Sequence, residues 1–400
     1  MPSLPMARRA FAAALLISSA ALAAPPAPLK SLVGELKPAA PGADLMFVVA
    51  GDSRPTGRLA PLPRTVPAIF AEVGLIRPDL VVWTGDTVYG YCDSAEELRA
   101  EHQAFVAAAQ AGGVPVFNTT GNHEIHTPQT CPGRPAESLC AGDCAFAQFR
   151  GLYGWEYGSF DTAGAHFVLL STDLPGHEDE IVGEQMAWLK ADLEAHKSAR
   201  AIFVFTHTEF YSAPQMDKDA VHGHEAIKNV PELNALFHRY PVKAVFSGHE
   251  HVYSHEVHDG IDYFVAGGGG APLYAPPEHG GFSHYLVVRL HDGKVSSETI
   301  GPGRLFTQAV PAGPGETRLW VVNGNDSDLP LRGIEAALPA GADCKGLSAT
   351  AEVPYRARTA PEVTIAACAD GKARLEADAT RRRSVLVTVK AAAPESKPGG

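Results

Sequence analysis

Between residues 45 and 300 the chain alternates short, wholly apolar runs with segments of helical periodicity. Leu45–Val49, Leu80–Trp83, Val114–Phe117, Ile202–Phe205 and Val242–Phe246 are too short for helices, and apart from Lys243 they are apolar at successive rather than alternate positions. That is the pattern of strands buried on both faces, and it predicts an α/β domain. Apolar residues at helical spacing predict helices over Arg64–Val73, Ala95–Ala111, Glu184–His196 and Pro231–Arg239. Beyond about residue 304 the helical period stops. Runs such as Arg318–Val322, Glu362–Ala367 and Ser384–Lys390 are separated by Gly, Pro, Asp and Asn, the pattern of a small all-β domain.

The flanks read differently. Arg8 and Arg9 precede the apolar run Ala10–Ala24, which falls short of the roughly 20 residues of a membrane span. Ala21-Leu22-Ala23 suits signal cleavage, with an uncleaved anchor helix as the alternative. The expected organisation is a signal peptide at 1–24, a Pro/Ala-rich linker at 25–43, a catalytic-type domain at 44–303, a β-sandwich-like domain at 304–391 and a disordered tail at 392–400. The expected location is therefore periplasmic or secreted, with no stable membrane anchor. The six cysteines of an exported chain read as disulfides, Cys344 with Cys368. Cys92, Cys131, Cys140 and Cys144 suit two more, a structural zinc being the alternative. A formal charge of -12 argues against nucleic acid as a partner. It leaves phosphate substrates open, because a bound cation reverses the local field.

The chemistry lies where the five strands end. The first runs into Gly51-Asp52-Ser53-Arg54 and the second into Gly85-Asp86-Thr87-Val88-Tyr89. The third leads to Gly121-Asn122-His123-Glu124, the fourth to His207 and the fifth to Gly248-His249-Glu250-His251. In open α/β sheets ligands bind beyond the carboxyl ends of the strands. Asp, Asn and His together supply oxygen and nitrogen donors for borderline-hard metals such as iron, zinc and manganese. Each cluster alone could be an ordinary turn. Five in order, each at a strand end, point to one site with two metals, suited to displacement at phosphorus.

This series resembles the calcineurin-like metallophosphoesterase superfamily over about residues 45–300. Ala266–Pro272 is similar to the Gly-rich turn that often follows the last motif. The resemblance implies a four-layer α/β/β/α sandwich, here followed by the small C-terminal all-β domain, and a dinuclear metal centre. Most members carry a metal-binding His two residues after the first Asp. Here that position is Arg54, which cannot ligate. Purple acid phosphatases also lack that His and use a Tyr three residues after the bridging Asp, which would be Tyr89. By this resemblance Asp52, Asp86, Tyr89 and His251 would hold the first metal. Asp86, Asn122, His207 and His249 would hold the second. The pair would be Fe(III) with divalent Fe, Zn or Mn. Arg54 would clamp substrate phosphate. His123, oriented by Glu124, would serve the leaving oxygen, with His126, His222 and His224 as rim candidates. The expected function is hydrolysis of small phosphate monoesters by a metal-bound hydroxide. The alternatives are a phosphodiesterase or nucleotidase, and a secreted metal-binding protein without catalysis.

Overall fold

The computed structural model describes residues 27–90, 95–125, 143–213, 226–353 and 359–391. The expected signal segment, the tail and the candidates His126, His222 and His224 lie outside them. So do any pairings of Cys92, Cys131, Cys140 and Cys144.

Each marked apolar run is a strand. β1 (Leu45–Ala50), β2 (Leu80–Trp83) and β3 (Val116–Asn118) are parallel. Sheet two contains β4 (Gly158–Thr162), β5 (Ala165–Leu169), β8 (Ala201–Phe205), β9 (Val242–Ser247), β10 (Tyr253–His258) and β11 (Ile261–Ala266). β6 (Asp173–Leu174) and β7 (His177–Glu178) form a separate two-stranded ribbon. β12 (Tyr285–His291) and β13 (Lys294–Ile300) return antiparallel to complete sheet one. The orders are β13-β12-β1-β2-β3 and β10-β11-β9-β8-β5-β4. The helices are α1 (Thr65–Ile76), α2 (Ala95–Gly112), α3 (Asp143–Tyr153), α4 (Gly183–Ala195) and α5 (Val230–Phe237). Four match the expected helices to within a few residues. The sequence reading did not include α3.

The unbroken apolar runs follow from the layering. In β1, Leu45, Phe47 and Val49 face sheet two, while Met46, Val48 and Ala50 face α1 and α2. Phe47 is fully buried between the sheets, its ring centroid 5.1 Å from that of Phe167 and 4.9 Å from that of Phe203. Burial of such a ring is worth about 2–3 kcal/mol. On the outer face of sheet two, Val168, Ile202, Val204 and Val245 pack with Leu189 and Leu193 of α4 and Leu233 and Phe237 of α5. The result is the expected α/β/β/α sandwich.

The C-terminal region forms two antiparallel sheets. One holds β14 (Leu305–Val310), β15 (Glu316–Asn323), β17 (Ser348–Glu352) and β20 (Arg383–Lys390). The other holds β16 (Leu329–Ala337), β18 (Val363–Ala369) and β19 (Lys372–Ala379). A Cys344–Cys368 disulfide joins the segment before β17 to β18. This region shares a core with the first layer: Leu331, Ile334 and Leu375 cluster with Ile69, Val73 and Ile76 of α1. A Cβ at Gly333 would lie 2.0 Å from the Gly74 carbonyl oxygen, so β16 lies directly on α1. Glu72 fastens the same seam. Its carboxylate accepts hydrogen bonds from the Tyr285 hydroxyl and the Leu305 N–H, each at 2.8 Å. Burial pushes its pKa up.

The 25–43 stretch, expected as a linker, is partly fastened to the domain. Lys30 N–H donates to the Tyr153 carbonyl and Leu32 N–H to the Val116 carbonyl, each at 2.7 Å. Leu29 and Leu36 cover the edge of the inter-sheet core.

Candidate metal centre

The carboxyl ends of β1, β2, β3, β8 and β9 deliver all five loops to one rim. The turns off the strands are sharp. Asp52, Asp86 and His249 all have left-handed backbones, with φ of 59°, 55° and 68°. Such conformations cost L-residues about 1–2 kcal/mol each and collect at functional sites. Their neighbours leave no room for a side chain. A Cβ at Gly121 would lie 2.4 Å from Asp86 Oδ1, and one at Gly248 2.3 Å from Asp52 Oδ2.

Two donor groups meet at Asp86. In the first, ligand atoms of Asp52, Asp86 and His251 all lie within 4.8 Å of one another. His251 Nδ1 donates to the Pro272 carbonyl at 2.6 Å, which leaves Nε2 as a lone pair 3.6 Å from Asp52 Oδ1. In the second, His207 Nδ1 donates to the Thr84 carbonyl at 2.7 Å. His207 Nε2 is then a lone pair, 3.0 Å from Asn122 Oδ1, 3.4 Å from Asp86 Oδ1 and 3.2 Å from His249 Nδ1. Carbonyl acceptors fix the far nitrogen of both imidazoles, the arrangement that aims metal-binding histidines.

Lone pairs that face each other in a dry site call for cations. Asp52, Asp86 and Glu124 are at most 2% exposed. Burial raises the pKa of all three, with mutual repulsion adding to it for Asp52 and Glu124; Asp86 is pushed up to about 7. Carboxylate and amide oxygens with imidazole nitrogens form a donor set for borderline-hard ions. The residues present therefore fit two cations flanking Asp86.

Around this lie the other expected residues. Arg54 Nε is buried, 3.8 Å from Asp86 Oδ2, and has no hydrogen-bond acceptor among the described residues. Its Nη2 donates to the Tyr274 hydroxyl at 3.4 Å. His123 Nε2 stands 3.8 Å from the same Asp86 oxygen. The expected role of Glu124 needs correction. The Tyr89 carbonyl accepts from His123 Nδ1 at 2.5 Å and sets the ring. Glu124 instead clamps two loops together. Its Oε2 accepts from the N–H groups of Asp86 and Gly121, both at 2.9 Å. Its Oε1 accepts from Thr87 N–H at 2.6 Å and the Thr87 hydroxyl at 2.7 Å. Tyr89 is half-buried, its ring centroid 6.0 Å from that of His123. The sequence reading missed Tyr274, which stacks on His251 at 4.0 Å. Its only sequence signal is its place two residues beyond the Gly-rich turn.

The calcineurin-like phosphoesterase family profile matches residues 45–253, more than half of the chain. Purple acid phosphatase 23 of Arabidopsis thaliana is 33% identical over 140 residues, covering 35% of this chain and 29% of that protein. Serine/threonine-protein phosphatase CPPED1 of Danio rerio is 26% identical over 208 residues, 49% of this chain and 62% of that one. The chain thus spans less than two thirds of the length of these curated relatives. The purple acid phosphatase PPD1 from yellow lupin (Lupinus luteus) superposes with a TM-score of 0.50 at 18% identity. That comparison covers 65% of this chain and 52% of the lupin protein, and it shows a shared fold.

Proposed function

The chain belongs to the calcineurin-like phosphoesterase family, and from that premise we propose that it is an exported, purple acid phosphatase-like hydrolase of small phosphate monoesters. The observation that carries this reading is the pair of donor groups sharing Asp86, with the buried Arg54 Nε facing the same carboxylate. In the proposal one cation is held by Asp52, Asp86, His251 and Tyr89, the other by Asp86, Asn122, His207 and His249. A phenolate from Tyr89 suits Fe(III), with divalent Fe, Zn or Mn beside it. When bound, the metals supply Lewis acidity and activate the attacking water.

The protein's own groups do the rest. Arg54 holds the phosphoryl oxygens with a donor that has no competing acceptor. Tyr274 fixes that guanidinium from the rim. His123 gives a proton to the leaving oxygen from Nε2. Nδ1 keeps its own proton against the Tyr89 carbonyl, which leaves Nε2 as the nitrogen that faces the leaving oxygen. Export is supported by the N-terminal sequence and the Cys344–Cys368 disulfide. No described helix is long and apolar enough to cross a membrane.

The test is a panel of chromogenic mono- and diesters with the metal-loaded protein and with His207→Ala and His249→Ala. Each substitution should lower monoester turnover about a thousandfold or more, since each removes a ligand. Near-normal turnover with unchanged metal content overturns the ligand assignment. Faster hydrolysis of diesters than of monoesters overturns the substrate class.

A further inference from the structure

Two adjoining clefts run along the seam between sheet one and the C-terminal sandwich. The first, of about 400 Å³, has Arg304, Asp326, Arg382 and Arg383 in its walls. The second, of about 420 Å³, shares Arg304 and Asp326 and adds Ser283, Thr299 and Asn325. Three arginines thus face one carboxylate, on a chain whose formal charge is -12. Arg382 Nε donates to Asp326. That bond lowers the Asp326 pKa, and the charges of Arg382, Arg304 and Arg381 lower it further. Among the described residues Arg304 and Arg383 have no ion pair and no side-chain hydrogen bond. The positive field of the clefts is therefore left over.

Backbone bonds hold the walls together. Gly324 N–H donates to the Arg304 carbonyl at 2.7 Å, and Arg382 N–H to the Asn325 carbonyl at 3.0 Å. Gly301 N–H donates to Asn325 Oδ1 at 3.0 Å, and Asn325 N–H to Asn323 Oδ1 at 3.0 Å. Asn325 is 2% exposed, and the bond from Gly301 decides which end of its amide is the oxygen. Nδ2 is then a donor, and it has no acceptor. Its neighbour Asn323 shows the contrast, with Nδ2 donating to the carbonyls of Ser327 and Ala379 at 2.9 and 2.8 Å. A buried donor without an acceptor is costly and rare in a native fold, and a ligand oxygen would satisfy it.

Strand register places the clefts on the catalytic rim. β13 ends at Ile300, which pairs with Tyr285 of β12. The next residue of β12, Leu286, pairs with Val49 of β1, just before the Asp52 loop. The segment that carries Gly301 and Arg304 therefore leaves sheet one at the same end as Asp52, two strands away. That is about 10 Å between strand axes.

We propose that Arg304, Arg383 and the Asn325 amide bind a tetrahedral oxyanion, phosphate or sulfate, beside the metal centre and independently of it. A guanidinium fork takes two oxygens of such an ion at once. The Asn325 amide and the hydroxyls of Ser283 and Thr299 supply donors for the others. The ion can be free in solution. It can also be the second charged group of a phosphoester whose first lies at Asp86, a case that rests on the function proposed above.

The test uses the full, metal-loaded chain. Phenylglyoxal labels accessible arginines, and peptide mass spectrometry reads the extent at each. Sulfate should slow labelling of Arg304 and Arg383 several-fold against chloride at the same ionic strength, while Arg318 is labelled equally. Equal labelling of Arg304 with and without sulfate overturns the proposal, and this readout needs no variant to fold. Equilibrium dialysis then measures sulfate binding by the parent, Arg304→Ala and Asn325→Asp. The second substitution keeps the acceptor for Gly301 N–H and turns the orphaned donor into an acceptor. Affinity should fall about tenfold or more in each, and unchanged binding in both overturns the site. Sulfate held at the metals is common to all three proteins, so the difference reports the cleft. A bis-phosphorylated ester separates the two sources. A raised KM at constant kcat in Asn325→Asp, absent for an ester with one phosphate, assigns the ion to the substrate. A KM unchanged for both esters assigns the site to the free ion. Loss of all phosphoester turnover would leave labelling and dialysis untouched, so this site and the proposed function fail separately.

Discussion

Replacing Glu124 by Gln keeps the shape of the side chain and removes one acceptor oxygen, at a place where four donors need two. In the parent, Oε2 serves the N–H groups of Asp86 and Gly121, while Oε1 serves the N–H and hydroxyl of Thr87. The better orientation of the amide turns its NH2 toward Thr87, whose hydroxyl can rotate to accept. The Thr87 N–H is then orphaned in a dry site, at about 1–3 kcal/mol. The bonds to Asp86 and Gly121 also lose their charge assistance, roughly 1 kcal/mol each. Relief of repulsion between Glu124 and Asp86 works in the other direction, but in the metal-loaded protein the proposed cations beside Asp86 would offset most of it. The net expectation is a loss of about 3–5 kcal/mol, a large part of the roughly 5–15 kcal/mol that stabilises a typical protein. Denaturant unfolding of metal-loaded parent and Glu124→Gln, with the more exposed Glu180→Gln as control, measures it. Metal affinity should fall as well, about 10–100-fold, because the clamp aligns the loops that carry Asp86 and Asn122. A Glu124→Gln protein that unfolds within about 0.5 kcal/mol of its parent refutes the clamp.

Glu72 makes a prediction with a sign. Burial raises its folded pKa above its ordinary 4.5, so the folded state holds its proton more tightly than the unfolded chain. Its contribution is fully present below that ordinary value and is lost as pH rises through the folded pKa. Thermal midpoints of parent and Glu72→Gln should therefore diverge in favour of the variant as pH rises from acid, and a gap that does not change with pH contradicts this. Replacing Cys344 and Cys368 together by Ser opens a loop of 24 residues' separation and should cost about 3 kcal/mol in denaturant unfolding; reductant without effect on the parent argues otherwise. Iron-loaded, oxidised protein should absorb in the visible, and Tyr89→Phe should bleach it while leaving circular dichroism intact. A colourless parent, or an equally coloured variant, removes Tyr89 from the ligand set.

The candidate metal centre was legible because its donor residues are side chains at short, regular offsets from buried strands. A run such as Leu80–Trp83 announces its own end, and Asp86 follows at once. What orients these side chains was not legible. The carbonyls of Thr84, Pro272 and Tyr89 orient His207, His251 and His123, and any residue type supplies a carbonyl. Glu124 stands beside His123 in sequence, so adjacency suggested an orienting bond, whereas its oxygens reach the Asp86 loop. Glu72 reads as a polar residue within an apolar helix, and its partners lie 213 and 233 positions along the chain. The helix Asp143–Tyr153 follows a Cys- and Gly-rich stretch and carries Gly151 in its own third turn, which weakens its periodic signal.

The contact of Gly333 on Gly74 bears on how this architecture can be recombined. A domain joined by a tether can be exchanged by cutting the tether. Here the backbone of β16 touches that of α1 at a point where neither residue has a side chain, and apolar residues from both sides close around it. Grafting a different sandwich onto this catalytic layer would need a partner that also offers a bare backbone at that height, or a helix resurfaced to match. Deleting the sandwich would leave Ile69, Val73 and Ile76 in water. The transferable module is therefore the sandwich together with its helix, and chimeras divided at the chain boundary near residue 304 should aggregate where those that carry α1 along remain soluble.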